Sequence, residues 1–459
     1  MPELCRSEAG YFNTRISNLT MQVLPDFRPS SLPRRSRKRT QAFRLLLSAL
    51  AFFPLTGIAI DYVNGDITST FLNAGNATYR LSAGYTKAFG SDWPFYLGFS
   101  NSNNTLIIED GACATNKASA YVGYNTSGNS MTITGESSKW ETIYEDGGSQ
   151  YFTVGSSGGS NNSLLVEKGG TLIGIYLAVG LNNSDHNSVV IDGSGSSADF
   201  AMAVMVGDSF SATSGNSFTL KNGAALNAGS LYIGRNGTSN TALITGVGTA
   251  ATLTGGVTVG GVNSVNSRLT ISDGAKVSGG SSGTWTLSIG ESSSKNSNLL
   301  ISGEGSSLSY LGYMNVGGDS SEESTLTIKD GGRFLLGSEV KFGHLSFGTG
   351  SDAFIRLDGG FFGWYGDRVF ELTEHTEDGR FQYWDAEMEQ WITGSLEHFK
   401  ITYLTDLNGS GLTGGRYDDL QGYTLVIAIP EASFWVHLGL ALGVFFILRR
   451  PHKRTPRAF

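Results

Sequence analysis

Three aspartates, Asp110, Asp273 and Asp330, each precede a glycine at one phase of a recurring pattern, which would line them along one edge of a repetitive fold. Clustered carboxylates on such an edge can cleave glycosidic bonds, one as acid and one as base or nucleophile, at separations of ~5–9.5 Å. Six repeat units separate Asp110 from Asp273, or ~29 Å at the ~4.8 Å spacing of stacked strands. They cannot share a substrate bond, and Asx turns before glycine explain them better. Gly193-Ser194-Gly195-Ser196-Ser197-Ala198 fits the dinucleotide fingerprint, but no helical pattern follows to receive a pyrophosphate. Gly155-Ser156-Ser157-Gly158-Gly159 and Gly279-Gly280-Ser281-Ser282-Gly283 match the nucleophile elbow outside any strand-turn-helix context. His186, His344, His375 and His398 lack zinc-ligand spacing, and the nonapeptide of calcium-binding β-rolls is not repeated. The expectation is a chain without catalytic residues, cofactor or metal.

The chemistry that remains is aromatic. Residues 361–429 carry Trp364, Trp384 and Trp391, interleaved with acids such as Glu371, Asp385 and Glu389. Exposed indoles beside carboxylates can stack on sugar rings and accept their hydroxyls, so these three are candidate glycan contacts. The same composition would also make a bulky cap over the unpaired strand edges that end a β fold.

The elements that would position these groups repeat. Short strand-like segments ending in glycine recur at Gly98, Gly123, Gly155, Gly180, Gly207, Gly234, Gly260, Gly290, Gly317 and Gly348, a mean step of about 28 residues. A second segment follows each of them and ends at Ile108, Ile133, Val166, Ile191, Leu220, Ile244, Ile271, Ile301, Ile328 or Leu357. Apolar and polar residues alternate in both, and Gly and Ser interrupt any helical periodicity. The pattern predicts an all-β fold, a single-stranded parallel β-helix of about ten coils of ~28 residues. Asn recurs four residues before the second landmark, at 104, 129, 162, 187, 216 and 240, as a stacked ladder in a turn would require. The turn after the second landmark alternates between Asp-Gly-Ala types and types with an earlier glycine, so the true repeat would be a pair of coils.

Both ends read as addresses. Of the 32 Lys and Arg in the 459-residue chain, residues 1–44 hold nine and residues 449–459 hold five. Residues 45–448 then carry 18 basic and 37 acidic side chains, which excludes a nucleic-acid binder. Arg34 to Arg44 precede an uncharged apolar run, Leu45 to Ala59, the layout of a signal peptide cut near Ala59. Loss of such a leader removes Cys5 and leaves Cys113 without a partner cysteine. At the other end Pro430-Glu431-Ala432 precedes the apolar run 434–448 and a basic cluster, a short transmembrane helix with its positive end in the cytoplasm.

That tail resembles the PEP-CTERM sorting signal, with Ala432 where the family has its second proline. The units of the form Asn-x-Leu-x-Ile-x-Asp-Gly-Ala over 96–360 are similar to the repeat shared by autotransporter passengers and PEP-CTERM proteins. The resemblance implies processing by an exosortase, with Pro430, Glu431 and Ala432 as the sorting motif. It also implies display at the cell surface or release into the extracellular matrix. The expected organisation is a leader at 1–59, an N-terminal cap at 60–95, the β-helix at 96–360, an acidic and aromatic cap at 361–429 and the sorting tail at 430–459. The expected function is a non-enzymatic structural or adhesion protein, with an extracellular polysaccharide as a partner. The alternative is a β-helical polysaccharide lyase or glycoside hydrolase. It would need carboxylates with Arg or Lys on adjacent coils, and the basic residues between 98 and 357 read as few and dispersed.

Overall fold

The computed structural model describes residues 60–429 except 91–92, 144–148, 209–210, 282–284, 342, 350–351 and 406–416. The expected leader, the sorting motif and the 434–448 span all lie outside the described residues. Among the described residues, no helix is long and apolar enough to cross a membrane.

The chain winds as a β-solenoid of about 11 turns. Each turn contributes one strand to a first sheet, and most contribute two to a second. The first sheet stacks in parallel from Ile60–Val63 to Phe381–Asp385 and has 14 strands in all. The second has 21, and in Thr171–Leu181, Ser197–Asp208 and Ala225–Arg235 its two contributions merge into one long strand. Neighbouring coils are in register, so equivalent side chains form columns down the axis. In the first sheet Ile133, Val166, Ile191, Leu220, Ile244 and Ile271 occupy one column and are fully buried. In the second, Val122, Val154, Val179, Val206, Ile233 and Val259 do the same. Both landmark series are therefore inward columns, and burying each side chain is worth roughly 1.5–3 kcal/mol.

The solenoid runs past both ends of the expected 96–360. Residues 60–95 were expected as a cap. Instead Ile60–Val63 and Ala77–Leu81 are parallel members of the first sheet. Their apolar alternation was too short to register as a repeat. At the far end, parallel pairing stops where Tyr423–Ala428 adds antiparallel to Phe361–Tyr365, and Gln390–Thr393 adds antiparallel to Phe381–Asp385. The chain's one described α-helix, Val369–Glu377, also lies in this region. Cys113 is disulfide-bonded in the structure, and the expectation of a lone Cys113 concerns the chain after loss of its leader. Cys5, the only other cysteine, lies outside the described residues.

The asparagines form a continuous buried ladder. The Oδ1 of Asn187 accepts from the backbone N–H of Asn162 at 3.0 Å and from its Nδ2 at 3.1 Å. Asn216 does the same for Asn187, at 2.9 and 3.1 Å. The ladder explains the landmark glycine as well. At Gly180, φ is +74°, and a Cβ would lie 2.2 Å from the amide carbon of Asn216. Only glycine both adopts that backbone and leaves room for the next coil's amide. After Asn240 the position passes to Ser267, Ser297 and Ser324. Their hydroxyls are buried and make no hydrogen bond with any described residue, because a hydroxyl is too short to bridge the ~4.8 Å between coils as an amide does.

The alternation of turns has a hydrogen-bonding cause. Asp110, Lys168, Asn222, Asp273 and Asp330 all have positive φ and precede a positive-φ glycine. In the first four the N–H of that glycine donates to a hydroxyl in the following turn of the other type, Gly111 to Ser138, Gly169 to Ser196, Gly223 to Thr249 and Gly274 to Ser306, while Gly331 donates to Gly359 O. Four of the five odd turns are thus tied to the turn of the other type that follows.

Candidate functional site

The same register places chemistry on the outer face of the first sheet. In Arg268–Ser272, Leu269 and Ile271 point inward and Arg268 and Thr270 point outward. Because the period is two in every strand, the outward residues also stack. Arg268, Asn298 and Thr325 form one outward column, and Leu300, Thr327, Arg356 and Gln382 form the next. Lys329 and Asp358 end their strands beside them. Glu323 precedes its strand and faces the same space. Together with Trp384 and Trp391 these side chains line a cleft of about 380 Å³.

Arg356 is the centre of the cleft. Its Nε donates to Gln382 Oε1 at 2.8 Å, and its guanidinium lies 5.6 Å from the centroid of Trp391 and 5.9 Å from that of Phe354. Burial pulls its pKa below the usual arginine range, and the nearby Glu323 carboxylate partly offsets this. Asp358 is shifted the other way: burial raises its pKa, the like charge of Asp330 adds to that, and Lys329 opposes it. Trp384 and Trp391 meet edge to face at 5.4 Å, and Trp384 keeps 37% of its surface exposed.

Of the three candidate glycan contacts, the structure brings two into this cleft. Trp364 is buried and donates its indole N–H to Gly343 O at 3.0 Å, so it belongs to the core and reaches no ligand. The cationic part of the cleft was missed in the sequence, where Arg268, Lys329 and Arg356 are spread over some 90 residues. The repeat offsets contained the signal. Arg268 lies three residues before Ile271, as Asn298 does before Ile301, while Arg356 lies one before Leu357 and Lys329 one after Ile328. The reading of dispersed basic residues is corrected: the coils bring them together with Glu323 and Asp358.

The other motifs sit in the scaffold. Gly193 and Gly195 have φ of +90° and +83° in a turn, and the strand Ser197–Asp208, not a helix, follows them. Asp273 accepts from Thr245 and from Ser272, which keeps its carboxyl below the usual range, and Asp330 accepts from Ser302. Among the described residues, no group of three His, Cys, Asp or Glu is arranged to hold a metal ion. Comparison with protein-family models, with curated proteins and with solved structures finds no match.

Proposed function

We propose that this chain is an exported surface or matrix protein, a β-solenoid rod that holds a saccharide in the cleft over its first sheet. The observation that carries the reading is the pairing of a partly exposed Trp384 with a stacked, desolvated Arg356 on a rigid sheet. A pyranose presents an apolar face to an indole and hydroxyls to amides and carboxylates, and Asn298, Glu323 and Asp358 supply the latter. Trp384→Ala is expected to weaken retention on polysaccharide gels about tenfold, while melting at the wild-type temperature. Undiminished retention would remove the saccharide from the reading.

Export and sorting rest on the sequence of the ends. Glu431 is the only charge between Asp419 and Arg449, and the tail resembles a PEP-CTERM signal. In a host carrying an exosortase, wild type is expected to be shortened near Ala432 and released. Glu431→Gln is expected to stay uncleaved in the membrane fraction. Equal masses and equal fractionation would leave the tail as a plain anchor.

A second reading has one observation in its favour. Asp358, with its pKa raised, shares the cleft with Glu323, as an acid and a base would in a lyase or glycoside hydrolase. Release of oligosaccharides that stops in Asp358→Asn would favour the enzyme.

A further inference from the structure

We propose that the ligand of this cleft is an acidic polysaccharide, with a sugar ring against Trp384 and two non-adjacent carboxylates of the same chain at Arg356 and Arg268. The proposal rests on the saccharide reading above and deepens it. Residues 45–448 carry twice as many acids as bases, yet Arg268, Lys329 and Arg356 outnumber Glu323 and Asp358 in the cleft. Lys329 is itself paired with Asp330 at 3.4 Å, so the cleft is close to charge balance where the rest of the body is acidic, and an anionic polymer meets less repulsion here than elsewhere on the rod.

The two arginines are also uncommitted. Arg80, Arg333 and Arg368 are each ion-paired, to Glu109, Asp419 and Glu371. No ion pair is formed by Arg268 or Arg356 with any described residue. Arg356 spends one donor on Gln382 and keeps the rest of its fork, and Arg268 is exposed. The Arg356 guanidinium, half-buried, stacked and in no ion pair with a described residue, is preorganised to take a carboxylate from a ligand. Three coil steps separate the strands of Arg268 and Arg356, roughly 14 Å. One monosaccharide cannot touch both, whereas a chain lying along the axis presents an acid to each. The sheet that spaces the arginines is rigid, so a repeating ligand meets them without distortion of the protein.

The test compares polygalacturonate with its fully methyl-esterified form, which shares the backbone and lacks the charge. Binding to the purified protein is measured by affinity electrophoresis and calorimetry at several salt concentrations. The acidic polymer is expected to bind at least about tenfold tighter than the ester, with a steeper salt dependence. Arg356→Gln is expected to remove most of that difference. Arg268→Gln, at an exposed position that cannot unfold the sheet, is expected to weaken the acidic polymer about fivefold and leave the ester unchanged. Equal binding of the two polymers, or an Arg268→Gln variant indistinguishable from wild type, overturns the acidic assignment and leaves the saccharide reading standing. Binding of neither polymer overturns both.

Discussion

A chain carrying Ile191→Asp is expected to lose the coils on either side of the substitution. Ile191 is fully buried between Val166 and Leu220 in the inward column of the first sheet. Its neighbours in the column are aliphatic, so the carboxylate must ionise unpaired or take up a proton. Either route costs several kcal/mol. Each coil of a solenoid is stabilised mainly by its neighbours, so the loss spreads locally before it becomes global. The measurement is thermal melting together with hydrogen exchange of residues 163–221, compared with Val190→Asp. Val190 stands one residue away and points outward, half-buried. The expected result is a large fall in melting temperature for Ile191→Asp and a small one for Val190→Asp. Equal effects would mean that the phase of the repeat is not what orders the core.

That contrast also marks how far the fold was legible in the sequence. A column of Ile, Val and Leu at a constant offset from a glycine can be read directly, because in-register stacking forces every coil to answer the same steric demand. The Asn positions were legible for the same reason. Tyr62 and Tyr79 stack at 4.9 Å in the first coils, but the landmarks were absent there and the segment passed for a cap. Outward columns are harder. In-register core packing does not demand the same residue at outward positions such as Arg268 or Arg356, so the outward residues do not repeat in type, and the cleft becomes visible only once the repeat offsets are turned into a register. Trp364 fails for the opposite reason. Composition near the end of a solenoid suggests exposed aromatics, but Trp364 stands in register with Leu336 and Tyr310 in an inward column of the second sheet, and that column takes the indole inside.

Replacing Asn187 by its near-isosteric acid should expose what the ladder depends on. The Nδ2 of Asn187 donates to Asn216 Oδ1 and to Gly159 O, both at 3.1 Å, while its Oδ1 accepts from Asn162. Asn187→Asp keeps the acceptor and turns the donor into an oxygen facing two other oxygens in a fully buried site. Above the pKa of the buried acid this repulsion and desolvation should cost roughly 3–5 kcal/mol. A protonated carboxyl can donate to one of the two oxygens, so the folded state binds the proton more tightly than the unfolded chain, and the group's pKa is raised. For such a group, stability relative to wild type falls as pH rises from the unfolded value of ~3.9 to the raised folded value, then levels off. The deficit against wild type should therefore be largest at pH ~7 and smallest near pH ~3.5. Asn187→Ser serves as the control. Ser267 and Ser297 already occupy this position in later coils, and the loss should be about 1–3 kcal/mol with no such pH dependence. Denaturant unfolding of the three proteins across that range provides the check. A pH-independent deficit in Asn187→Asp, or a serine variant less stable than the aspartate variant at neutral pH, would show that the donor side of the ladder does not hold the coils together.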